Sequence, residues 1–312
     1  MAKTSTSKQR SAPPRPPARS GRPAGLFTWI AVGLVVVVVA ALVIIKVASG
    51  GPANKPSATG FQATDATTVA ELTKVPTSVF NTIGVTSPVA PVTAPQALKG
   101  QPALTATNAS GKKVPEILYI GAEYCPFCAA QRWSTIVALS RFGTWSGLGN
   151  MSSSSTDYAP NTPTFTFVKA KFTSPYLVFQ SVEELTNIFD PTTNNYTTLQ
   201  APTAQEAALV AKYDTPKYVK GMTASQAQSI PFITFANTFL VSGASYSPLT
   251  LASSTRSTIA AGLSNATSPV TQAIIASANY QTAAICTLTN QQPGSVCTSA
   301  GVKAADKAMG LK

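Results

Sequence analysis

Ile117-Leu118-Tyr119-Ile120-Gly121-Ala122-Glu123-Tyr124-Cys125-Pro126-Phe127-Cys128 is the most informative stretch of this chain. Its β-branched and aromatic residues predict a central strand over 116–121, which breaks at a glycine and delivers two cysteines onto a helix start. The unpaired N–H groups and partial positive charge of a helix N-terminus favour a thiolate at Cys125. Cys128, one turn along, sits where it can close a disulfide, and Pro126 suits the first helical turn because its missing N–H is no loss there. This is the sequence form of a redox-active dithiol. A structural CxxC disulfide and half of a metal site are the competing readings. Zinc needs further Cys or His ligands, and the chain has no histidine and only Cys286 and Cys297 beyond this pair. No metal is expected, and exchange at a dithiol needs no organic cofactor because the sulfurs carry the electrons.

Strand and helix signals alternate on either side of that centre. Residues 65–74 read as a short helix capped by Asp65 and ended by Pro76, and 104–107 as one arm of a hairpin that returns at 113–114. A helix over 129–141 buries Trp133, Ile136, Val137 and Leu139. The Gly- and Ser-rich 143–161 reads as a loop, and the polar–apolar alternation of 164–172 as one half-buried strand. A strand over 176–182, a short helix over 203–212, strands over 231–237 and 238–241, and helices over 254–263 and 269–288 follow. Trp133, Trp145, Phe165, Phe167, Phe172, Phe232 and Phe235 read as core rather than as a cofactor site. The order predicts an α/β domain with at least one parallel strand pair.

The 312 residues suffice for one large domain or two small ones. Lys3, Lys8, Arg10, Arg15, Arg19 and Arg22 make residues 1–25 a basic, proline-rich cytoplasmic tail. From Leu26 to Ile45 run twenty residues without a charge, long enough as a helix to cross a hydrocarbon core of about 30 Å. Basic residues ahead of the span put the N-terminus in the cytoplasm. The expected organisation is a tail (1–25), a single transmembrane helix (26–48) in the lipid bilayer, a flexible linker (49–64) and an extracytoplasmic domain (65–312). A cleaved signal peptide is the alternative, but its apolar core would be shorter and no clear cleavage site follows. The net charge of +12 owes six of its 23 basic side chains to the tail. No basic face interleaved with aromatics remains, so nucleic acid is not an expected partner. The absence of histidine also removes Ser–His and Cys–His catalysis.

The segment 122–128 resembles the strand–CxxC–helix unit of thioredoxin-like thiol–disulfide oxidoreductases. Ser229-Ile230-Pro231-Phe232-Ile233-Thr234-Phe235 resembles their cis-proline loop. Over about 65–300 the wider pattern is similar to a membrane-anchored group, the domain-of-unknown-function family 929. The resemblance implies a thioredoxin-like fold, with an inserted helical or loop subdomain filling the stretch between Cys128 and Ile230. It makes Cys125 the attacking thiolate, Cys128 the resolving thiol, Pro231 the cis-proline and Ile230 a backbone contact for substrate. Two positions depart from the pattern. Tyr119 stands where many thioredoxins keep a buried acid, and Phe127 where strong oxidants carry a histidine. Glu123 is the nearest proton acceptor in sequence, although a carboxylate there is more often exposed on a loop.

Cys286 and Cys297 flank a segment with turn residues at Asn290 and Pro293-Gly294, so the chain can fold back and close a structural disulfide. A second, relay dithiol is the rival reading. The function expected is that of a membrane-anchored, extracytoplasmic thiol–disulfide exchange protein acting on envelope or secreted proteins, with a membrane redox partner implied by topology. The alternative is a non-catalytic binding or scaffolding module of the same shape, in which Cys125 would be buried and slow to alkylate.

Overall fold

Six strands share one mixed sheet: β1 (Gln96–Ala97), β2 (Thr105–Thr107), β3 (Lys113–Gly121), β4 (Val178–Glu183), β5 (Phe232–Phe235) and β6 (Phe239–Ser242). β3 lies inside it. It pairs antiparallel with β5 (Ile120 opposite Phe232) and parallel with β4 (Gly121 opposite Glu183), while β2 pairs antiparallel with its first residues. β6 lies outside β5 and carries β1 on its far side. The computed structural model describes residues 60–88 and 91–311. The expected tail, the Leu26–Ile45 span and most of the linker lie outside the described residues. Among the described residues no helix is long and apolar enough to cross a membrane.

The apolar run of β3 is continuous because both of its faces are covered. Successive side chains of a strand point to opposite faces. Ile117 and Tyr119 accordingly join a core built on helices, while Leu118 and Ile120 join a second core with Leu98, Leu104, Val182, Tyr213 and Leu240. The helices are α1 (Ala66–Thr73), α2 (Thr77–Ile83), α3 (Pro126–Leu139), α4 (Ala204–Tyr213), α5 (Arg256–Gly262), α6 (Pro269–Leu288), α7 (Gly294–Cys297) and α8 (Ala300–Met309). Every residue of α3 except Phe127 is buried. A helix buried on every side belongs in the middle of a fold, and its polar residues must then find partners there. α3 packs on α6, where Gln281 bridges them by accepting from the Thr135 hydroxyl at 3.0 Å and donating to Ser134 at 3.0 Å. α4 packs on the opposite core through Leu209, Val210 and Tyr213.

Three expectations need correction. Pro76 ends α1 but is also the N-cap of α2, a helix not anticipated. The stretch 143–161 is not a plain loop, because Thr144–Ser146 and Gly149–Ser152 are strands. Their partners divide the single strand expected over 164–172: Pro163–Thr166 pairs with Gly149–Ser152, and Lys171–Thr173 with Thr144–Ser146. A turn closed by the Ala170 N–H on the Phe167 carbonyl separates the two pieces. All four residues of Pro163–Thr166 are buried, and the half-buried alternation survives only in the second piece, where Phe172 is half-buried between exposed Lys171 and Thr173. The stretch between Cys128 and Ile230 thus carries short strands as well as helix and loop, including a further hairpin of Leu185–Asp190 on Asn195–Thr198.

Candidate functional site

Cys125 is the N-cap of α3. Its backbone is extended (φ −74°, ψ 121°), Pro126 opens the helix, and its sulfur accepts the Cys128 N–H at 3.3 Å. The strand-to-helix turn therefore aims one of the helix's unpaired donors at the first sulfur. Opposite stands the loop that opens β5. The Ile230–Pro231 peptide bond is cis, and the Cys125 thiol reaches the Ile230 carbonyl at 3.9 Å. The fold thus brings together Cys125, Cys128, Ile230 and Pro231. An open groove of about 420 Å³ runs between Cys125 and Ile230, lined also by Tyr124, Phe127, Asp157 and Glu184 among others.

Both thiols are free and buried, Cys125 at 5% exposure and Cys128 at 0%. The two sulfurs are pushed apart in acidity. Hydrogen bonding from the Cys128 thiol holds Cys125 below its ordinary range, aided by the Cys128 N–H and the Arg132 charge, against the opposing effect of burial. Burial, and then the neighbouring Cys125, push the Cys128 thiol well above its own. An acidic first thiol that reaches the groove and a protonated second thiol behind it suit sequential sulfur exchange.

Beneath the sulfurs lies an ion pair. Arg132, on α3, donates through Nε and Nη2 to both carboxylate oxygens of Glu183 on β4, at 2.9 and 2.6 Å. Both side chains are wholly buried. Nη2 also donates to the Ala122 carbonyl at 2.7 Å. Neither residue was singled out from the sequence. The available signal was Arg132 itself, the one charge in the otherwise uncharged helix Pro126–Leu139, which had to find a partner.

Glu123 is not an exposed loop carboxylate. It is 6% exposed, and burial raises its carboxyl above the ordinary range. Asp214, just past α4, was likewise missed. Its carboxylate accepts the Ser229 N–H at 2.8 Å and its carbonyl accepts the Gln228 N–H at 2.9 Å, which fixes the approach to Ile230. The departures from the sequence pattern are visible too. Tyr119 is fully buried with its ring 5.8 Å from the Arg132 guanidinium, whereas Phe127 is 39% exposed and stacks on Tyr158.

Cys286 and Cys297 form a disulfide between α6 and α7, away from the first pair in sequence and wholly buried at Cys286. Among the described residues no cluster of His, Cys, Asp or Glu could hold a metal ion.

These features define a mixed α/β protein whose central strand hands a free dithiol to a helix N-terminus. Residues 103–287 match the family described as a domain of unknown function, DUF929, and the chain belongs to that family. The match takes in the dithiol, Arg132, Glu183 and the Ile230–Pro231 loop, and is shorter than the span of about 65–300 over which the resemblance was read. No curated protein and no solved structure matches the chain.

Proposed function

We propose that this protein is a membrane-anchored, extracytoplasmic thiol–disulfide exchanger of thioredoxin-like build. The observation that carries the reading is the Cys125 sulfur, capped by the Cys128 N–H at 3.3 Å and facing the carbonyl of a cis Ile230–Pro231 bond at 3.9 Å. A mixed sheet with the dithiol at the end of its inner strand supports the thioredoxin-like build. The apolar run from Leu26 to Ile45 with its basic flank supports the anchor.

In the reducing direction, the Cys125 thiolate attacks one sulfur of a substrate disulfide. The substrate S–S bond breaks, and the leaving sulfur departs as a thiolate that takes up a proton. Cys128 then gives up its proton and attacks the Cys125 sulfur. The mixed disulfide breaks, the second substrate thiolate leaves, and a Cys125–Cys128 disulfide holds the oxidised equivalent. Two electrons have passed from the protein dithiol to the substrate disulfide. Oxidation of a substrate dithiol is the same sequence reversed, and a membrane-borne thiol or quinone couple completes either cycle.

A polypeptide substrate fits the groove's surroundings. Phe127, Tyr158, Ile188 and Phe189 are the exposed large apolar side chains among the described residues. Phe127 stacks on Tyr158, and Phe189 connects through Tyr196 to Tyr124 at the groove. Aromatic surface of this kind contacts apolar segments of other proteins.

The low exposure of Cys125, 5%, favours a second reading, the non-catalytic binding or scaffolding module. Trapping separates the two. With Cys128→Ser in the full chain, an exchanger accumulates disulfide-linked adducts through Cys125 in cells, and these vanish in the Cys125→Ser/Cys128→Ser form. A Cys128→Ser chain that folds yet yields no adduct removes the exchange reading and leaves the module.

A further inference from the structure

The buried ion pair behind the dithiol has no place in the exchange steps above, and burying it is costly. Two charges withdrawn from water are tolerated only when geometry and further hydrogen bonds are good, and an apolar pair of similar volume is often as stable. Arg132 and Glu183 meet as a bidentate fork, yet the Arg132 Nη1 is buried with no partner among the described residues. A guanidinium fully matched to its carboxylate for structural purposes would not leave a donor stranded.

Position gives the guanidinium a use beyond the ion pair. Arg132 follows Cys128 by four residues on α3, so the two side chains share a helix face. Its Nη2 grips the Ala122 carbonyl, in the turn that leads from β3 into Cys125. Tyr119, from β3, lays its ring 5.8 Å from the guanidinium and has a partnerless hydroxyl. The titratable groups facing this cation are therefore Glu183 from β4, Tyr119 from β3, Glu123 from the turn, and the two cysteines. Glu183, on the neighbouring strand, accepts from Nε and Nη2 and leaves Nη1 unbonded, and the Arg132 charge is still felt at both sulfurs.

We infer that Arg132 is a positioning residue of the dithiol: it pins the turn into Cys125 and supplies a permanent buried positive charge that keeps a thiolate tenable in a dry site. The inference rests on reading Cys125 and Cys128 as an exchanging pair. A guanidinium is never deprotonated in proteins, so this support does not titrate, unlike a carboxylic acid at the Tyr119 position. Both cysteine thiols are held lower by Arg132 than burial alone would leave them.

The test reads Cys125 alone by its alkylation rate against pH, since Cys128 is wholly buried. Opposite signs are expected from the two halves of the pair. Glu183→Gln leaves the cation uncompensated and moves the alkylation profile to lower pH. Arg132→Gln/Glu183→Gln, which buries no charge, moves it to higher pH, with alkylation about ten-fold slower below the midpoint. Arg132→Lys restores the wild-type profile in large part. In the unmodified protein, raising the salt concentration leaves the profile in place, because a buried charge is little screened. A folded double variant with the wild-type profile, or a wild-type profile that shifts up with salt, overturns the inference. Failure of the wild-type thiols to cycle with glutathione would instead overturn the exchange reading, since alkylation reports the thiolate without turnover.

Discussion

Tyr119 and Glu123 bracket the turn that leads into Cys125; the first buries an unpartnered hydroxyl, and the second buries a carboxyl that burial keeps above its ordinary range despite a hydrogen bond with Thr166. The Tyr119 ring packs edge-on to Phe167, and its buried hydroxyl lies against Gly121. A Cβ at position 121 would collide with that hydroxyl, so only glycine fits where β3 ends. Because an unpartnered buried hydroxyl costs free energy, Tyr119→Phe should leave stability unchanged or raise it by up to about 1 kcal/mol in urea unfolding. A clear loss would mean that the hydroxyl has a partner. Glu123 gives a pH dependence whose sign follows from its raised carboxyl. Between the unfolded value and the higher folded one, the native state holds more protons than the unfolded state. The Glu123 contribution to stability is therefore intact below the ordinary glutamate range and declines as pH rises through the folded value. Glu123→Gln should flatten that decline, and unfolding midpoints measured from pH 4 to pH 8 check it.

At the scale of elements, the loop before β5 is held from outside the sheet. Asp214, just past α4, accepts the Ser229 N–H, and Gly243 donates to the Pro231 carbonyl at 2.8 Å. Asp214→Ala strands a backbone donor and should cost about 1–3 kcal/mol in urea unfolding. It should also loosen the wall of the groove opposite Cys125, read as faster alkylation there. An unchanged Cys125 rate would show that the loop needs no such anchor. The Cys286–Cys297 bridge ties α6 to α7 across a separation of 11 residues. Cys286→Ser/Cys297→Ser should cost roughly 2–4 kcal/mol on the loop-entropy account while leaving the Cys125 alkylation profile where it was. A changed redox behaviour of Cys125 and Cys128 in that variant would instead favour the relay reading.

How much of these elements the sequence disclosed follows from their physics. The strand, the turn and α3 were legible because hydrophobic run, glycine and N1 proline all agree over neighbouring residues. The Cys286–Cys297 pairing was legible from turn residues between two lone cysteines. α2 was not, since seven residues after a proline carry too little periodicity to be told from a loop. The strands over 144–173 were hidden by Gly and Ser, and by pairing partners 11 to 29 residues away that local pattern cannot name. Arg132–Glu183 and Asp214–Ser229 are contacts across 51 and 15 residues, and no spacing rule announces them.

At the scale of the whole molecule, the proposed function requires an exchanging domain tethered to a bilayer. Full-length protein expressed in cells should sediment with membranes and resist extraction by alkaline carbonate, and added protease should reach residues 65–312 from the outer side. Recovery in the soluble fraction would contradict the anchor without touching the dithiol. The domain itself is tested through its sulfurs. Full-length protein equilibrated in glutathione buffers of graded poise, then acid-quenched and alkylated, should pass reversibly between a Cys125–Cys128 disulfide and two free thiols through one two-electron transition, with Cys286–Cys297 bridged throughout. A pair that stays as thiols in the most oxidising buffer, or never reopens in the most reducing one, would contradict it.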